Sequence, residues 1–203
     1  MARKVGLDRR QVIDAATALA DTEGLASVSL ARIAADLAVA SPSLYSHVDG
    51  LAALRRELAL EASTRLGAAL RDAIAGTEGV AALRAIAHAY REFARGHPGL
   101  YASLHTTPGR LEDPELFAAF AALVPDLAAV LTGLGLPDQD AVPLIRALRS
   151  ALHGFVSLEA TGGFGLPDDV GESFETLIEV IVAGMLARPR AVPPEPRRGG
   201  AHG

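Results

Sequence analysis

Ser29-Leu30-Ala31-Arg32-Ile33-Ala34-Ala35-Asp36-Leu37-Ala38-Val39-Ala40-Ser41-Pro42-Ser43-Leu44-Tyr45-Ser46-His47-Val48 reads as two short helices separated by a tight turn. The Ser29 hydroxyl is placed to cap the first helix by accepting from a free backbone N–H of its first turn. Leu30, Ile33, Ala34 and Leu37 then recur at helical spacing and form one buried face. Ala38-Val39-Ala40 is the turn. Ser41 is expected to cap the second helix, with Pro42 at the first helical position, where its missing N–H costs nothing. That helix ends near His47 or Val48, and Asp49-Gly50 breaks the chain after it. The layout is a helix-turn-helix, whose second helix enters the DNA major groove. The plainer alternative is an ordinary helical hairpin.

Upstream, Val12, Ala15, Ala16, Leu19 and Ala20 predict a helix over 8–23, capped by Asp8 and closed by Gly24 in a left-handed C′ conformation. Downstream, helices are expected over 51–75, 80–95, 98–106, 113–131, 138–161 and 170–188, with Pro125 kinking or breaking the helix over 113–131. Pro98 stops the helix before it, because proline disfavours helical geometry at the preceding residue. The expected fold is all-α, about nine helices: an N-terminal three-helix unit over 8–58 and a helical second unit over 59–188. The proline- and glycine-rich tail 189–203 is expected to be disordered.

Composition agrees. Half of the 203 residues are apolar, and there is no cysteine, which removes disulfides and thiolate metal sites and suits a cytoplasmic protein. The N-terminus leads into a charged segment, so no secretory leader is expected. No run of 18 apolar uncharged residues is read in the sequence, so no membrane span is expected. The net charge of −5 is unevenly spread: residues 1–56 hold seven Arg/Lys against six Asp/Glu, the remainder twelve against eighteen. Only the front of the chain is suited to phosphates.

In the second helix of the motif, Ser41, Pro42, Ser43, Tyr45, Ser46 and His47 are the candidate DNA contacts. None is Arg, Asn or Gln, so direct base reading is thin and shape reading must supplement it. Arg3 and Lys4 precede the first helix and reach toward a minor groove or the backbone. Ser29 and Arg32, at the start of the other motif helix, complete the set, Arg32 as a candidate phosphate ligand.

Residues 8–58 resemble the N-terminal domain of TetR-family transcriptional repressors. The resemblance is carried by Ser29-Leu30-Ala31-Arg32-Ile33-Ala34, Val39 and Ser43-Leu44-Tyr45-Ser46-His47-Val48. It implies that Tyr45 and His47 contact phosphates and that Ser41, Pro42 and Ser43 face bases. There are three departures: Ala38 where glycine is usual, Ala40 where Ser or Thr often caps, and Leu51 where a lysine usually meets phosphate. Further on, Leu152-His153-Gly154-Phe155, Leu158-Glu159 and Gly162-Gly163-Phe164 are similar to a TetR subclass with a Trp-His-Gly tripeptide, leucine replacing the tryptophan.

The helix over 170–188 is apolar nearly all round, which requires cover on both sides. A homodimer interface is expected from Leu177, Ile178, Ile181, Val182 and Met185 with the small-residue strip Ala147, Ser150, Ala151, Gly154 and Ser157. The alternative is a helix buried within a monomer. A small-molecule pocket is expected between the helices over 80–161, from Tyr90, Phe93, His97, Tyr101, His105, Phe117, Phe120, Arg146, His153 and Phe164. Each Phe or Tyr taken singly is better read as plain core, and His153 is equally a core histidine bonded to a carbonyl. Arg146, read as facing inward, needs a partner: Glu159, Glu115, Asp113 or an anionic ligand. No cofactor or metal is expected.

Two rival readings remain. An enzyme finds little support, since HExxH spacing, a phosphate loop and a G-x-S-x-G elbow are all missing from the sequence. His88 and His97 fall about 180° apart on a continuous helix. A helical module that binds proteins and not DNA is kept alive by Leu51 and the weak basic charge.

Overall fold

The computed structural model describes residues 7–107 and 112–188. Arg3, Lys4 and the tail 189–203 lie outside the described residues. Among those described, nine α-helices and three short 3₁₀ segments make up the regular structure, without a strand. The helices are α1 (Arg9–Glu23), α2 (Leu30–Asp36), α3 (Gly50–Ile74), α4 (Gly79–Gly96), α5 (Pro98–Thr106), α6 (Pro114–Ala121), α7 (Val124–Gly133), α8 (Ala141–Ala160) and α9 (Val170–Leu186).

Local chemistry sets the first boundaries. Asp8 accepts from Gln11 N at 2.8 Å while the Gln11 side chain accepts from Asp8 N at 2.9 Å, a reciprocal capping box. Ser29 Oγ accepts from Arg32 N at 3.3 Å and starts α2. Gly24 has φ +87° and ψ 154°, so it ends α1 in an extended turn and not in the expected left-handed cap. Ala38 does carry the left-handed turn, at φ +53°. Ala38→Gly is therefore expected to stabilise the fold by roughly 0.5–1 kcal/mol, a gain in Tm of about 1–4 °C, because the Cβ penalty in this region exceeds glycine's added entropy in the unfolded chain. Calorimetry checks it.

Of the two outcomes expected at Pro125, a kink or a break, the structure has the break. The helix over 113–131 is two helices, α6 and α7, because Pro125 in the first turn of α7 has no N–H for the carbonyl of Ala121 and its ring crowds that carbonyl. The segment Pro114–Gly133 is also apolar enough, by length and composition, to cross a membrane, with a mean hydropathy of 1.9. It carries Glu115 and Asp126, so the reading that no run of 18 apolar uncharged residues exists stands. Leu116 and Leu131 of this segment are buried in the protein interior.

A continuous core runs from Val12, Ile33 and Leu44 through Leu54, Leu58, Leu66 and Leu70 of α3 to Ile86, Leu148, Leu152 and Phe174. The expected division at residue 58 falls inside α3. A second link joins α1 to α5. Asp21 accepts from Gly99 N at 2.9 Å and Leu100 N at 3.0 Å, and lies 2.9 Å from His97 Nδ1. It thus caps α5 from a distant part of the chain, where the dipole favours a carboxylate. Gly99 makes the approach possible: a Cβ there would lie 2.2 Å from the carbonyl of Ala20.

Candidate nucleic-acid interface and ligand cavity

The second helix of the motif is a 3₁₀ helix, Ser41–Ser46, with bonds such as Ser43 N to Ala40 O at 2.9 Å and His47 N to Leu44 O at 2.9 Å. Ala40 holds the cap position and offers no side-chain acceptor, so Ser41 is the first helical residue and not the cap. Leu44 is fully buried and anchors the helix on the core. Ser41, Pro42, Ser43, Tyr45 and Ser46 face solvent, Tyr45 at 59 % exposure, and His47 is half-buried. The Ser46 hydroxyl donates to Ser43 O at 2.8 Å.

The cations around this helix are largely compensated. Arg32, the candidate phosphate ligand, grips Glu23 at 2.7 and 3.1 Å and Asp36 at 3.2 Å. Ser29 is committed to its cap. Arg9 pairs with Glu57 at 2.5 Å, and Arg10 with Asp14 at 2.7 Å and Glu61 at 2.9 Å. Leu51 packs on the core and supplies no cation where the family's lysine would stand. Beside the recognition helix lies a shallow cleft of about 440 Å³ whose walls include Arg9, Tyr45, His47 and Arg56. Arg9 and Arg56 were not singled out by sequence, because their pairing depends on how α1 and α6 meet α3.

A cavity of about 130 Å³ lies between α3, α4, α5, α6, α7 and α8. Leu66, Leu70, Ile86, Leu104, Leu148 and Leu152 are among its walls, and Tyr90, His105 and Phe120 line it as expected. A polar row leads from its Tyr90 wall toward a second cleft: Tyr90 and Tyr101 hydroxyls 3.1 Å apart, Tyr101 Oη 2.6 Å from His153 Nδ1, and Ser157 Oγ 3.4 Å from the same nitrogen. His105 stacks on His153 with ring centres 3.9 Å apart. Tyr101, His105 and His153 also border a wider cleft of about 570 Å³ that includes Arg95 and Glu159. Burial pushes the Tyr90 and Tyr101 phenols up, so both stay protonated. Burial, with the nearby charge of Arg149, pushes the His153 imidazole down. His153 meets a phenol hydroxyl and not the carbonyl of the core-histidine alternative.

The remaining pocket candidates lie elsewhere. Phe93 is core and stacks on His97 at 5.3 Å, and His97 turns to Asp21. Phe164 packs on Phe155 at 4.7 Å. Phe117, 52 % exposed, and Arg146 line an outer groove with Val142 and Ile145. Arg146 thus points outward, because the partners offered to it are taken: Arg91 holds Glu159 at 2.5 and 2.9 Å, and Arg56 holds Asp113 and Glu115. The cation at the cavity is Arg149. Its signal was present, since Ile145, Leu148, Arg149 and Leu152 follow i, i+3, i+4, i+7 spacing.

Residues 83–181 match the family described as the tetracyclin repressor-like C-terminal domain. The chain is 34 % identical over 190 residues to the uncharacterized HTH-type transcriptional regulator YobS of Bacillus subtilis strain 168, covering 92 % of this chain and 96 % of that protein. The chain belongs to the TetR family of transcriptional regulators. Solved structures share its fold. One is a protein of unknown function from Rhodococcus sp. RHA1, with TM-score 0.77, 24 % identity, and coverage of 91 % of this chain and 98 % of that one. Another is a single-substitution variant of TetR from Acinetobacter baumannii AYE in complex with minocycline, with TM-score 0.66, 20 % identity, and coverage of 88 % and 96 %.

In this TetR-family chain, α9 divides between two environments. Ile178, Val182 and Met185 join Phe174 in the chain's own core, which corrects their assignment to a partner-facing surface. Leu177 and Ile181 are half-buried, while Val180 is 64 % and Leu186 42 % exposed. On α8, Ala147, Ser150 and Gly154 face solvent and Ala151 and Ser157 are half-buried. The outward apolar residues that sequence missed are Leu158 and Val180.

Arg56 of the TetR-family head ties α3 to α6. Its guanidinium donates to both Asp113 oxygens and to Glu115 Oε2 at 2.7 Å, while Asp113 Oδ1 also accepts from Glu115 N and Leu116 N at 3.1 Å. The Arg56 bond chiefly, and the Leu116 N–H next, hold the Asp113 carboxyl down at about 2. A depressed carboxyl contributes stability that is present above the ordinary value of about 3.9 and lost as pH falls through the folded one. Acid titration of Tm should therefore show a loss between about pH 4 and pH 2 that Asp113→Asn lacks.

Proposed function

We propose that the chain is a homodimeric, cytoplasmic transcriptional repressor, without enzymatic activity, that grips a palindromic operator through two copies of the Ser41–Ser46 helix. A small, largely apolar molecule in the cavity releases it. The observation that carries the reading is the pairing of an exposed helix anchored by the fully buried Leu44 with a separate apolar cavity of about 130 Å³. Ser41, Pro42, Ser43, Tyr45, Ser46 and His47 supply the groove-facing groups, with Arg3 and Lys4 added from the leading segment. The exposed strip of α8 and α9 around Ala147, Ser150, Gly154, Leu158 and Val180 supports two-fold pairing. Minocycline bound to the A. baumannii TetR variant supports a small-molecule ligand for this fold.

Successive major grooves need recognition helices about 34–36 Å apart. α3 reaches from the head to the cavity, since Leu54 and Leu58 pack in the core while Leu66 and Leu70 line the space. A ligand that prefers another tilt of α3 lowers DNA affinity by its differential affinity for the two arrangements and no more.

The second reading, a protein-binding module, is favoured by the ion-paired arginines and by Leu51. Gel shift on DNA from upstream of the chain's own gene separates the two. The repressor reading expects a shifted band whose affinity falls linearly in log–log form with salt. A band absent at low salt from a dimeric sample would overturn it.

A further inference from the structure

We infer that the effector is an amphipathic organic acid, its carboxylate seated on Arg149 and its apolar body filling the cavity. The inference rests on the proposed role as a ligand-responsive regulator and adds the chemical class of the ligand.

The cavity walls are apolar apart from Tyr90, His105 and Arg149. Arg149 is the arginine that lines this cavity. Arg56, Arg65, Arg84 and Arg91 all hold carboxylates, whereas among the described residues none lies within 4.0 Å of Arg149. Arginine cannot shed its proton, so its charge at this rim is permanent. The groups beside it offer no compensation. Tyr90 and Tyr101 are neutral phenols, and His153 is neutral because burial and Arg149 itself disfavour its cation.

A polar row lies beside the guanidinium. Arg149 sits beside the Tyr90 hydroxyl and can only donate. The Tyr90 and Tyr101 hydroxyls are 3.1 Å apart, where either can donate, and Tyr101 Oη is 2.6 Å from His153 Nδ1. An anion at the guanidinium meets a fixed cation and, beside it, a Tyr90 hydroxyl that can rotate to donate. Bidentate, charge-assisted bonds of this kind are about twice as strong as neutral ones.

Size limits the body of the ligand. An apolar cavity of about 150 Å³ takes one benzene ring, so the roughly 130 Å³ here suits a single ring or a chain of about six carbons. Arg149 remains solvent-exposed while Leu66, Leu70 and Leu152 are buried, which matches a ligand with a wet head and a dry body.

Titration calorimetry and thermal shift with benzoate and hexanoate, against benzyl alcohol and 1-hexanol, test the inference. On the wild-type dimer each acid should bind at least about tenfold more tightly than the alcohol of its size. Arg149→Met should reduce that preference to below about twofold, and Arg149→Lys should keep part of it. Alcohols that match the acids on wild type overturn the inference, whatever the variants do, and leave the ligand-responsive reading standing. An acid preference that survives in Arg149→Met also overturns it. The broader reading falls by a different result: a chemically diverse compound set in which nothing weakens the DNA gel shift.

Discussion

Gly99→Ala lowers the melting temperature by about 6–12 °C, the largest stability loss expected from adding one methyl group. The added Cβ would lie 2.2 Å from both the carbonyl carbon and the oxygen of Ala20 and 2.5 Å from its Cβ. Two of those atoms are backbone, so no rotamer change relieves the clash, and α1 must move off α5. Overpacking costs up to about 3 kcal/mol, and each kcal/mol is worth about 2–4 °C for a chain of this length. The same displacement pulls Asp21 from the N–H groups of Gly99 and Leu100, so the cap is lost with the packing. Gly96→Ala is the control. Nothing lies within 4 Å of its added Cβ, and the substitution should be neutral or stabilising by up to about 1 kcal/mol. Paired calorimetry of the two variants separates close backbone approach from any general effect of removing glycine near Pro98.

The contrast shows which features were readable in the chain. Asp8, Gln11 and Ser29 act on residues three positions away, so their caps follow from spacing alone. The buried stripes of α1, α2 and α4 follow from helical period. Gly99 carries no such signal, because the reason for a glycine is Ala20, on another helix. The pairing of Arg32 with Glu23 was not legible, because Glu23 comes beside it only after α1 and α2 have packed. In α8, period placed both Arg146 and Arg149 near the inner face. The choice between them depended on where α6 and α7 lie, and hence on the break at Pro125. The all-round apolar α9 could not show which stripe the chain keeps for itself, and Phe174, Ile178, Val182 and Met185 settle that by joining the core.

The same long-range contacts explain how a small cavity can govern a distant surface. The head meets the body through α3, through Asp21 on α5, and through Arg56 on Asp113 and Glu115. α5 and α6 both carry cavity residues, His105 and Phe120. A ligand that shifts either helix therefore acts on a group bonded to the head, and neither path needs a flexible hinge. Severing one tether leaves the other two, so single substitutions should weaken coupling by part of the usual 1–3 kcal/mol and not abolish it.

Tyr45→Ala should weaken operator binding by about 30- to 100-fold while leaving the Tm within about 2 °C. The ring is 59 % exposed, so the fold loses little when it is removed. On DNA the loss is counted twice, once per subunit of the dimer. A hydrogen bond contributes about 1–1.4 kcal/mol net, and two sum to the stated range. Tyr45→Phe should account for most of the effect, since it deletes the hydroxyl and keeps the ring. Salt dependence identifies the contact further. Tyrosine is uncharged and releases no counterion, so the log–log slope of affinity against salt should match wild type in both variants, whereas loss of a phosphate-bound cation would reduce it by about 0.9 per contact. Unchanged affinity in Tyr45→Ala at full dimer occupancy would remove the Ser41–Ser46 helix from the DNA interface.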